Sequence, residues 1–380
     1  MRLSLARIGD TSYRLLWSHH HLLLDGWCQG LVMNELFDAY DYHRGAVGSN
    51  ERKGQVRPRP YRDYIAWLQQ QDLGKAERYW RDTLRGFGQP TTILAPNGIH
   101  HPNVQYKHQR LRLIPEQSQR LQARARREHV TMNTVLQGVW SLLLSRYSGQ
   151  SDIVVGTPIA ARTHREIEAL IGFFINSLVI RTEIRGDESF RELLAQVREV
   201  CLEAYAHQDV PFEKLVEELQ PERDLSRSPL FQVMFGLQNA PGELELPGLQ
   251  VSSVGGVVGI ARLDLLLTLS ETKQGLVGTW SYNSDLFDEP TIVRFTSHYA
   301  RVLAAVTEDA ERPLAAIDRH VVGVAPELAV GLGGALRNRV AVVGGARPGG
   351  VAQRGNPGGR SAAGVRRPLV SRGQSAGRRR

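Results

Sequence analysis

Cysteine is almost missing from this 380-residue chain, with Cys28 and Cys201 the only two. That scarcity excludes a disulfide-stapled secreted scaffold and fits a reducing compartment in which thiols simply pack. Long apolar runs are missing as well. The best, "LIGFFINSLVI", is short and carries Asn176 and Ser177, well under the roughly 18 residues a membrane helix needs. The opening "MRLSLARIGD" has no apolar signal-peptide core, so the expected location is cytoplasmic, with no membrane contact. Acidic residues and lysine stop at Glu327, after which the chain holds 11 arginines and 13 glycines. Without those arginines the 47 basic residues fall to 36, against 39 acidic ones. The net charge of +8 therefore belongs to the tail, and the body is not a nucleic-acid binder by charge.

The tail, residues 321–380, is a Gly/Ala/Arg-rich segment that cannot bury enough apolar area to offset its ordering entropy, so disorder is expected. A basic arm for nucleic acid is the functional alternative, and the abrupt change of composition suggests a shifted reading frame.

Upstream, strands and helices mix without the strict alternation of a nucleotide-binding repeat, which points to an α/β sandwich. "RLSLARI" and "YRLLWSH" around "GDTS" read as a hairpin, and "CQGLVMNELFDAYDYH" has helical spacing. "RGAVGSNERKGQVRPRP" reads as a surface loop, and "YRDYIAWLQQQ" and "KAERYWRDTLRGF" as helices. "APNGIHHPNVQYKH" is the candidate linker between residues 1–105 and 106–320. Beyond it come a strand near "QRLRLI", helices at Pro115–Glu128 and after the cap Thr131, and the strands "DIVVGTPIA" and "GFFINSLVIRTEI". A helix with the apolar face Phe190, Leu193, Leu194, Val197, Cys201 and Tyr205, three further strands and a closing helix complete the pattern.

The stretch "WSHHHLLLDGWC" concentrates the chemistry. If the strand runs through the histidines, His19 and His21 share a face and His20 points to the other, a poor chelating arrangement; no metal is expected. An imidazole supplies a base near neutral pH, best with a carboxylate or carbonyl fixing its other nitrogen. Asp25 could orient that imidazole, or it could pair with an arginine and hold the loop. Gly26 would let the backbone turn sharply or a substrate approach closely.

"HHLLLDG" matches the HHxxxDG signature of the condensation domains of nonribosomal peptide synthetases, and four further stretches follow in that family's order. "YRDYIAW" (61–67) resembles YxDYAxW, and "IGFFINSLVIR" (171–181) resembles IGxFVNTxxxR. "HQDVPFE" (207–213) matches without departure, and "RDLSRSPL" (223–230) has Ser228 where Asn is usual. The aromatics of "YRDYIAW" are expected to pack, "HQDVPFE" to be a helix end before a Pro turn, and "RDLSRSPL" to be a charged loop.

The resemblance implies a two-lobed, chloramphenicol-acetyltransferase-like sandwich with a tunnel through it. Carrier proteins dock at its mouths, and their phosphopantetheine arms deliver a donor thioester and an aminoacyl acceptor; no cofactor is bound directly. A synthetase partner would also contribute an adenylation domain. By the same resemblance His21 is the active histidine, His20 is structural, and Asp25 and Gly26 complete the catalytic loop. Arg162 in "TPIAAR" is the partner expected for Asp25, and Asn176 and Arg162 are the candidate substrate contacts. His21 could accept a proton from the amine or only position it. Two upstream motifs of the family are not found, so the first lobe is expected to be incomplete. "LFQVMFGLQNAPGELELPGLQ" favours joining of L-configured donors. A non-catalytic fragment, an epimerisation domain and a coenzyme A-dependent acyltransferase are the alternatives.

Overall fold

The apolar periodicity of the sequence becomes two separate sheets in the computed structural model, which describes residues 1–45, 58–93, 105–219, 228–239, 263–273 and 275–321. β1 (Arg2–Arg7) and β2 (Tyr13–Ser18) pair antiparallel as a two-stranded sheet, with Arg2 opposite Ser18. Leu3, Leu5, Leu15 and Leu16 on this hairpin remain exposed. Three helices follow, α1 (Gly26–His43), α2 (Tyr61–Leu68) and α3 (Gly74–Thr83).

The second sheet has six strands: β3 (Tyr106–Arg112), β4 (Asp152–Ile159), β5 (Asn176–Glu183), β6 (Val233–Asn239), β7 (Leu265–Thr272) and β8 (Gly275–Asn283). Their order is β3-β8-β7-β6-β4-β5, parallel only where β6 meets β4 and β7. Between and after them run α4 (Pro115–Arg127), α5 (Met132–Ser148), α6 (Arg165–Glu168), α7 (Phe190–Ala206), α8 (Phe212–Leu219), α9 (Glu289–Glu308) and α10 (Leu314–Val321).

α5 shows how the sequence builds this core. The Thr131 hydroxyl accepts the Thr134 N–H to open the helix, and Gly149, at φ 71, closes it in the left-handed region that favours glycine. In between, Val135, Leu136, Val139, Trp140 and Leu142 to Leu144 are buried, and so is the polar stripe of Thr134, Gln137, Ser141 and Ser145, so the helix is enclosed all round. It packs against α4, α7 and α9, which form one layer over the sheet. On β7 the residues alternate, with Leu265, Leu267 and Leu269 buried and Leu266, Thr268 and Ser270 half-buried. Leu267 pairs with Trp280, whose ring meets Trp140 at 5.2 Å in an edge contact.

Residues on both sides of position 105 share this core. Trp80 and Leu84 belong to it, and Trp80 Nε1 donates to the His207 carbonyl at 2.9 Å. Arg181 pairs with Asp152 at 2.8 Å and donates to the Thr83 and Arg85 carbonyls. The described residues through Val321 belong to one compact unit. No helix among the described residues is long and apolar enough to cross a membrane.

Several expectations change. β2 ends at Ser18 and His21–Leu23 form a 3-10 turn, so the strand alternation assigned to His19, His20 and His21 does not apply. β5 begins at Asn176 rather than Gly172, and α8 and α10 are additional helices. Most of the loop at 44–60, the linker over 95–104, most of "RDLSRSPL", the "APGELELPGLQ" stretch and the tail from 322 lie outside the described residues.

Candidate functional site

His20 and His21 sit where β2 hands over to α1. The His20 imidazole caps the intervening turn, its Nδ1 accepting the Leu22 N–H at 3.2 Å. His21 opens the turn, is exposed, and meets Phe173 edge-on at 5.3 Å. His19 lies half-buried beside Trp17, with ring centroids 4.8 Å apart.

Asp25 is 2% exposed and both of its oxygens are committed. Oδ1 accepts the Cys28 N–H at 3.1 Å, which makes Asp25 the N-cap of α1; Oδ2 accepts the Phe174 N–H at 3.0 Å. Its own N–H donates to the Gly172 carbonyl at 3.3 Å. The carboxylate therefore holds the loop rather than the imidazole. Gly26 is the first residue of α1, and its φ is not in the left-handed region, so the sharp turn expected of it is absent. A Cβ there would meet nothing within 4 Å, which leaves open space beside the loop.

Arg162 comes from the other side. After β4 the chain passes Ala161 at φ 49, a left-handed conformation costly for a residue with a Cβ, and the guanidinium turns inward, its side chain 2% exposed. Nη2 lies 3.6 Å from Asp25 Oδ1. Nη1 donates to the Ile167, Glu168 and Leu170 carbonyls. The cation also faces the Phe174 ring at 4.1 Å. A buried ion pair needs such partners to offset its desolvation, and here carbonyls and a ring surround the guanidinium.

Two other signature stretches, "YRDYIAW" and "IGFFINSLVIR", meet at the same loop. Gly172 lies so close to the Tyr61 ring of α2 that an added Cβ would come within 2.1 Å of it. The Tyr61 hydroxyl donates to the Phe173 carbonyl, and Tyr61 and Tyr64 pack on Ile167, Leu170 and Phe174. Burial raises the Tyr61 pKa, and the Asp25 charge adds to that rise. Asn176 spends its whole amide on "HQDVPFE" and its own neighbour. Nδ2 donates to the Gln208 and Val210 carbonyls, and Oδ1 accepts the Phe212 and Ser177 N–H groups. With two donors and two lone pairs in use, no polar atom of Asn176 remains for a substrate. Arg162 is likewise turned inward, away from solvent.

Sequence reasoning did not single out Gly172, Phe173 or Cys28. The first two lay inside a quoted motif, and their signal was the glycine beside an aromatic pair. Cys28 gave none beyond its spacing from Asp25. Among the described residues no group of three or more His, Cys, Asp or Glu comes together as a metal-holding cluster.

The structure thus presents an exposed imidazole on a loop tied down by a buried aspartate–arginine pair, on a mixed α/β fold. The Condensation domain family matches residues 1–320, and the chain belongs to that family, with its chloramphenicol-acetyltransferase-like α/β fold. A linear gramicidin synthase protein of Brevibacillus parabrevis is 42% identical over 327 residues, covering 83% of this chain and 4% of that protein. The X-domain from teicoplanin biosynthesis superposes with a TM-score of 0.73 at 28% identity, covering 83% of this chain and 73% of that one. In its complex with OxyB the X-domain gives 0.71 and 29%, over 83% and 72% of the two chains. The chain thus spans a small part of the gramicidin synthase protein it matches.

Proposed function

We propose that the chain forms peptide bonds in nonribosomal peptide synthesis. The amine of an aminoacyl acceptor attacks the carbonyl of a donor thioester, the C–N bond forms, the C–S bond breaks and a thiol leaves. His21 takes the amine proton and returns it to the departing thiolate, or holds the amine while proximity supplies the rate. Both substrates ride on phosphopantetheine arms of carrier domains, which with an adenylation domain are the partners. The donor is L-configured. His20 shapes the turn, and Asp25 and Arg162 fix the loop. The observation that carries this reading is an accessible His21 ring on a loop tied down through a buried Asp25.

The test mixes the chain with two carrier domains, one loaded with an aminoacyl donor and one with an aminoacyl acceptor, and measures dipeptide by mass spectrometry. His21→Ala should lower the rate by about 100-fold or more. Equal rates remove His21 from the mechanism.

A second reading, a non-catalytic docking module, is favoured by the likeness to a domain found in complex with OxyB. Under it, the wild-type chain binds carrier domains and yields no dipeptide.

A further inference from the structure

Cys28 has no part in the chemistry above, yet it is wholly buried and its sulfur lies in the middle of the clasp. It is the third residue of α1, and because Asp25 caps that helix through the Cys28 N–H, the two side chains meet the same loop. Arg162 Nη2 is 3.0 Å from Sγ, and the Gly172 N–H donates to Sγ at 3.3 Å. The Gly172 and Leu170 carbonyls lie 3.2 and 3.7 Å from the sulfur.

A thiol can donate one proton and accept others. Burial pushes the Cys28 pKa up, and the Asp25 carboxylate adds to the rise against the opposing Gly172 N–H, so the group is S–H. The proton goes to the Gly172 carbonyl, and the sulfur accepts from Arg162 and the Gly172 N–H. Nη2 is nearer the sulfur than the carboxylate, which at 3.6 Å is beyond a charge-assisted hydrogen bond. Nε of Arg162 is buried with no partner among the described residues, so the guanidinium has none to spare.

We infer that Cys28 is a positioning residue: its thiol bridges Arg162 to Gly172 and so fixes the Gly172–Phe174 segment against which Asp25 and His21 lie. The inference rests on the condensation reading for its kinetic part only.

Cys28→Ala and Cys28→Ser separate this role from packing. Amide hydrogen exchange at Gly172 should speed up about tenfold or more in Cys28→Ala, while amides of β4 and β5 keep wild-type rates. In the two-carrier assay kcat should fall about tenfold with KM for either carrier unchanged, because the loop is displaced and not the docking surface. Cys28→Ser, which keeps a donor and an acceptor, should restore exchange and kcat to within about threefold. Wild-type exchange in Cys28→Ala, unchanged kcat despite faster exchange, a general rise through β4 and β5, or failure of serine to rescue would each overturn the inference. If the wild-type chain makes no dipeptide, the condensation reading fails and the exchange data alone decide the role of Cys28.

Discussion

Asp25 lies four positions after His21, and the two lie in opposite environments. The His21 ring is exposed with one edge contact to Phe173, whereas Asp25 is 2% exposed and engaged by the Cys28 and Phe174 amides and by Arg162. The difference separates labour within one motif. The exposed ring of His21 keeps its polar atoms accessible, whereas both carboxylate oxygens of Asp25 are engaged inside the protein. Stability and activity should therefore respond to different letters of "HHLLLDG".

Removing Asp25 should have the largest effect on stability. Asp25→Ala strips the cap from α1 and leaves the Arg162 guanidinium buried without its carboxylate, a loss of about 3–5 kcal/mol. Urea unfolding measures it, and a loss under about 1 kcal/mol would mean that the clasp does not hold the fold.

Next comes Gly172→Ala. Its Cβ would press into the Tyr61 ring, and overpacking of this kind costs about 1–3 kcal/mol. Pairing it with Tyr61→Ala should give a double mutant less destabilised than the sum of the two, since the clash disappears with the ring. Strict additivity would show that the two residues do not meet.

These contacts explain what the sequence could and could not tell. Helices such as α7 were legible because Phe190, Leu193, Leu194 and Val197 recur on one face and all four are buried. The identity of the Asp25 loop was legible because the spacing of two histidines, an aspartate and a glycine is distinctive. The placement of His21 was not, because strand parity holds only while the strand lasts and β2 stops at Ser18. α8 went unseen because Pro211 reads as a turn, although it also opens a helix whose Leu215 is buried. Asn176 could not be assigned, since an amide facing a channel and an amide tying two loops look alike until the partners at Gln208, Val210 and Phe212 are known. Local pattern reports periodicity, and partners distant in sequence decide what each polar group does.

The smallest expected change in stability, at the residue with the largest expected change in rate, sharpens the comparison most. His21→Ala removes a ring that is exposed, makes no hydrogen bond found among the described residues through its side chain, and touches Phe173 only by an edge. Exposed substitutions of this kind shift stability by about 0.5 kcal/mol or less. The 3-10 turn should survive, because the Leu23 and Leu24 amides bond to the His20 and His21 carbonyls and the His20 ring still takes the Leu22 N–H. Urea midpoints for His21→Ala should thus overlay those of the wild type while dipeptide formation collapses. A midpoint shifted as far as that of Asp25→Ala would make His21 part of the clasp, and the division between exposed chemistry and buried support would be lost.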